Sequence, residues 1–98
     1  MLIFLLACAA HRLPEPTELM VSSAAAISPG ATLATLTQGR ELTLEHCANC
    51  HPPPKPADTQ DAGWPEAFDA MVSKAEVSAD DAALIELYLK ASLAQPAP

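Results

Sequence analysis

Basic residues are scarce. Five lysines and arginines stand against twelve acids over 98 residues, a formal charge of −7. No basic run exists, which argues against nucleic acid as a partner. Aromatics are as few: Phe4, Trp64, Phe68 and Tyr88 are the whole set. The polypeptide's own core is therefore thin, and one domain this small is marginal without a staple. The apolar opening, Met1 to Ala10, is far too short to span a bilayer as a helix. No strand-like alternation surrounds the cysteines, and no Cys or His follows position 51.

Against this background stands Cys47-Ala48-Asn49-Cys50-His51. Two cysteines three apart with a histidine directly after them form the attachment pattern of a c-type haem. Positions i and i+3 of a helical turn share one side, so both thiols reach the two vinyl groups of one porphyrin. His51 then supplies an imidazole to the iron as proximal ligand. Structural zinc needs four ligands, and only Cys8, His11 and His46 remain to complete such a site. A thioredoxin-like dithiol requires a βαβ context that is missing here. A disulfide across the short loop is the alternative that an exported chain leaves open. A covalent porphyrin would provide the apolar staple that the composition lacks.

Residues 1–10 read as a leader. Leu5-Leu6-Ala7-Cys8 resembles a bacterial lipoprotein signal, with lipid attachment at Cys8, although no positively charged segment precedes it. An ordinary secretory leader with an incidental cysteine is the alternative. Both mean export to the periplasm or another extracytoplasmic location, which thiol attachment of haem also requires in bacteria. Residues 11–31 carry Pro14, Pro16, Pro29 and small residues, the composition of a flexible linker. His11 falls in this linker and reads as solvated.

From Thr32 to His46 the spacing predicts a helix leading into the haem motif, with Leu33, Leu36, Leu42 and Leu44 as its apolar positions. Gly39 inside it costs about 1 kcal/mol relative to alanine. It marks either a close helix crossing or a break. His46 reads as a surface residue. Pro52, Pro53, Pro54 and Pro56 end the helix, and their carbonyls suit the second nitrogen of His51.

Trp64-Pro65 opens a further helix, with Pro65 suited to its first position and Glu66 and Asp69 to its first turn. Phe68, Met71, Val72 and Ala75 share one face. Met71 is either a core residue or the distal iron ligand, and it is the sole methionine after the motif. Trp64 either donates its N–H to a haem propionate or plugs the core. Ser78 caps a last helix reaching about Leu93, with Leu84, Leu87, Tyr88 and Ala91 in one stripe widened by Ile85 and Leu89. Residues 95–98 read as a disordered tail.

With these parts placed, residues 32–94 resemble a small monohaem class I cytochrome c, on Gly39, CANCH and the final helix Leu84-Ile85-Glu86-Leu87-Tyr88-Leu89-Lys90. The resemblance implies an all-α bundle of three to four helices around one haem c, held by Cys47 and Cys50 with His51 on the iron. It further implies that the N- and C-terminal helices cross at Gly39, against Ile85 and Tyr88. Class I proteins usually bring their methionine from a long loop, whereas Met71 lies on a predicted helix. The order Trp64-Pro65, Met71, Ser78, Tyr88 looks more like a compact bacterial subgroup.

The expected function is single-electron transfer between exported redox partners, with no catalytic side chains of its own. The acidic charge suits partners with a basic docking face, in small, salt-sensitive contacts. The rival is a five-coordinate haem that senses or reacts with small ligands, or a haem subunit of a larger redox enzyme. A dihaem peroxidase is excluded for this chain alone by its single motif.

Overall fold

The computed structural model describes residues 13–47 and 55–94. Among these, four α-helices and two short 3-10 helices carry the fold, without a strand. The helices are α1 (Glu18–Ile27), α2 (Leu33–Cys47), α3 (Trp64–Ala75) and α4 (Ala79–Ala91). The 3-10 turns cover Pro56–Gln60 and Ser92–Ala94. The all-helical class expected from sequence holds. No described helix is long and apolar enough to cross a membrane.

Local chemistry sets the boundaries. Thr32 and Thr35 cap the start of α2 reciprocally, each hydroxyl accepting from the other's backbone N–H at 3.2 and 3.1 Å. Pro65 sits in the first turn of α3, where its missing N–H costs nothing. Past α3, Glu76 turns left-handed at φ 57°, and Val77 N–H donates to the Val72 carbonyl at 3.0 Å. That bond closes a Schellman-type end, with Val72 and Val77 both partly buried against the core. The Ser78 hydroxyl accepts from Asp81 N–H at 3.1 Å to start α4.

Helix α4 is the central element, packed against both α1 and α2. Its stripe appears as read except at Leu84, which is only half-buried; Ile85, Leu87, Tyr88, Leu89 and Ala91 are buried. Against it lies Gly39 of α2. A Cβ there would stand 2.8 Å from the Tyr88 Cβ, with the Leu84 carbonyl oxygen nearer still. Only a hydrogen fits, so Gly39 is a close crossing and not a break. The expected partner Tyr88 is present, while the Leu84 backbone takes the place expected of Ile85. One turn on, the buried Thr43 hydroxyl donates to the Gly39 carbonyl at 2.7 Å, keeping a polar group satisfied beside the crossing.

The linker expected over residues 11–31 is corrected where the structure describes it. Helix α1 occupies its middle, capped by the Thr17 hydroxyl, which accepts from Met20 N–H at 3.3 Å. Met20 and Ala24, one turn apart, are fully buried, and Leu13 is 2% exposed. The physical reason lies in where the prolines fall. Pro14 and Pro16 precede the helix and Pro29 follows it, so they bound α1 instead of breaking it. The residues before α1 form a strap across the core. The Tyr88 hydroxyl donates to the Pro14 carbonyl at 2.5 Å. Arg40 Nε donates to the Leu13 carbonyl at 3.3 Å, and its other end pairs with Glu15 at 3.5 Å. Burial pushes the Tyr88 phenol above its ordinary pKa, against smaller opposing effects from Ser92 and Arg40.

The leader 1–10 with Cys8, His11, the motif residues Cys50 and His51, Pro52 to Pro54 and the tail 95–98 lie outside the described residues.

Candidate haem-binding site

The described part of the site starts from α2. Cys47 is its last residue, so the first cysteine of the motif stands at the end of a helix clamped eight residues earlier at Gly39. Eight residues of helix rise about 12 Å. The crossing with α4 therefore fixes the direction in which α2 delivers the motif. His46, just before it, is half-buried with Nε2 3.8 Å from the Glu45 carboxylate. Among the described residues no group of three His, Cys, Asp or Glu side chains could hold a metal ion.

Helix α3 supplies the other candidates. Trp64, Phe68, Met71 and Val72 are its four core-facing residues, at the i, i+4, i+7, i+8 spacing of one helical stripe. Ala75, expected on the same face, is exposed. Trp64 and Phe68 are buried at 5% and 6% exposure, with ring centroids 5.0 Å apart and planes 23° from parallel. Met71 is half-buried at the edge of the same cluster. Met20, by contrast, is fully enclosed in the core, which removes it as a ligand and leaves Met71 as the described methionine with an uncovered side.

The indole N–H of Trp64 donates to Glu86 Oε2 at 2.9 Å. Of the two roles open to Trp64 in the sequence, the structure favours the core plug, with the N–H committed to a carboxylate of α4. The same Glu86 oxygen lies 3.4 Å from Lys90 Nζ. Sequence reasoning missed Glu86 as a partner, because 22 residues separate it from Trp64 and only the fold brings them together.

A groove of about 460 Å³ opens between Ile27, Thr35, Ala83, Leu84 and Leu87, with Glu86 and Lys90 at its rim. Thr35 precedes Cys47 by twelve residues on α2, roughly 18 Å of helix. The groove therefore lies at the wrong end of α2 to receive a group attached at Cys47.

The residues present fit haem c on the chemistry of their donors. Two thiols and an imidazole follow one another at and just after the end of α2. A thioether stands half-covered on the neighbouring helix α3. Leu44 and Val72 add apolar surface that the protein leaves partly open, and burying such surface under a porphyrin yields about 25 cal/mol per Å². No protein-family model, curated protein or solved structure matches this chain.

Proposed function

We propose that the chain is a monohaem c-type cytochrome that passes single electrons between exported redox partners. The observation that carries the reading is the motif Cys47-Ala48-Asn49-Cys50-His51 beginning at the end of a helix that α4 crosses at Gly39. Haem c supplies a one-electron iron couple when bound. This chain's own residues attach and orient it. Cys47 and Cys50 would hold the porphyrin covalently, His51 would provide the imidazole, and Met71 would provide the thioether. The tightly packed α2–α4 crossing fixes the helix that ends at Cys47, which would suit a group whose charge changes by one electron.

Exposed acids support a partner with a basic docking face. Glu66 and Glu76 stand at the two ends of α3, Asp69 at its middle and Asp80 at the start of α4, within a chain of net charge −7. Association would weaken with salt, since such contacts are screened over about 8–10 Å. If Cys8 bears a lipid, the buried Leu13 limits its reach. Five residues of extended chain span at most about 18 Å, so the domain would stay close to the membrane surface.

A second reading, a five-coordinate haem open to small ligands, draws on the packing of Met71 against the apolar cluster. One experiment separates them. The oxidised protein is expected to show the weak near-infrared band of methionine–iron ligation, and Met71→Ala is expected to abolish it. An unchanged spectrum in Met71→Ala would falsify the ligand assignment.

A further inference from the structure

Helix α3 is held to the rest of the protein by little. Pro65, Glu66, Ala67, Asp69, Ala70, Ser73, Lys74 and Ala75 are all exposed, leaving Trp64, Phe68, Met71 and Val72 to anchor twelve residues. Its N-cap, Gly63, contributes no side-chain hydrogen bond. Among the described residues one polar link joins α3 to α4, the bond from Trp64 Nε1 to Glu86 Oε2, 2.9 Å long. Trp64 is 5% exposed and its bond to Glu86 is part-buried, so without Glu86 the N–H would lose the charged acceptor it uses there. Lys90 Nζ, one helical turn along α4, lies 3.4 Å from the same Glu86 oxygen.

From this geometry we infer that Glu86 is a positioning residue for Met71, acting through Trp64; the inference rests on the reading of Met71 as an iron ligand. Trp64 and Met71 lie seven residues apart, two turns along one stripe of a rigid helix. Fixing the indole fixes the angular setting of α3, and with it the direction in which the Met71 thioether faces. The bond does not touch the iron or its ligands. Its effect reaches them by holding the helix that carries one of them.

The test uses the haem-loaded full chain with Glu86→Leu and Glu86→Gln. Added imidazole competes with Met71 for the iron, so its apparent affinity reports how firmly Met71 is held. Glu86→Leu is expected to raise that affinity about tenfold, equivalent to about 1.4 kcal/mol. Glu86→Gln, whose amide oxygen still accepts from the indole, is expected to stay within about twofold of the parent. A second readout is independent of the iron: the chain has one tryptophan, so one indole N–H resonance in the reduced protein reports the bond. Its solvent exchange should quicken about tenfold in Glu86→Leu and remain slow in Glu86→Gln. Should Glu86→Leu not fold, Trp64→Phe deletes the same N–H while keeping a ring over Phe68, and the same tenfold gain is expected. Parent-like imidazole affinity in Glu86→Leu, or in Trp64→Phe where that variant takes its place, overturns the inference while leaving the cytochrome reading intact. A parent protein without the methionine–iron band overturns the assignment of Met71 and this inference together.

Discussion

Replacing Gly39 by alanine isolates the α2–α4 crossing. Two effects oppose each other at this site. Alanine is the better helix former by about 1 kcal/mol, and in an exposed helix the change would stabilise. Here the added methyl would meet the Tyr88 Cβ at 2.8 Å and press harder on the Leu84 carbonyl oxygen. Relaxed carbon contacts lie at about 3.5–4.0 Å, so the helices must part by the better part of an ångström. The obstacle is backbone and a Cβ, neither of which can rotate away. Overpacking costs about 1–3 kcal/mol, and immovable neighbours place this case near the upper end. The net loss is then about 2 kcal/mol, or roughly 8–16 °C in melting temperature for a domain of this size. Thermal unfolding followed by helical circular dichroism measures it. A melting temperature equal to or above that of the parent would refute the close crossing.

Two other perturbations probe the strap before α1. Leu13 is 2% exposed, and Leu13→Ala is expected to cost about 2 kcal/mol, the low end for a buried leucine because a strap outside the helices can relax; a loss below about 0.5 kcal/mol in denaturant unfolding would return these residues to linker status. Burial raises the Tyr88 pKa above its ordinary value of 10.0, so the folded state keeps a proton that the unfolded state has already lost. The stability this contributes is complete below about pH 10 and disappears as pH climbs through the raised folded value. Tyr88→Phe should flatten that part of the alkaline slope in stability, at a cost of about 1 kcal/mol at neutral pH for the lost bond to Pro14; an unaltered slope contradicts the assignment.

Much of the fold was legible where one residue type had one use. Ser78 and Pro65 marked helix starts, and the stripe through Tyr88 marked the buried face of α4, because caps and periodicity act over a few neighbouring residues. Helix α1 was not legible. Its buried face rests on only Met20 and Ala24 with a half-buried Val21, while Leu19 and Ile27 are more than half exposed, so no apolar stripe stood out beside three prolines. The Thr17-Glu18 pair ahead of a run of helix formers was the signal available. The Trp64 N–H had a need visible in the sequence but no visible partner, since Glu86 reaches it only through the packing of α3 on α4. Met71 sits where both readings of the sequence meet, partly packed and partly open, because a ligand on a helix face obeys the same spacing as a core residue.

Intact mass after maturation in a host that exports protein and attaches haem tests the central claim most directly. Polypeptide plus one haem is expected, with the added mass retained after acid denaturation and localised to the peptide spanning Cys47 and Cys50. A mass equal to the bare polypeptide would contradict it.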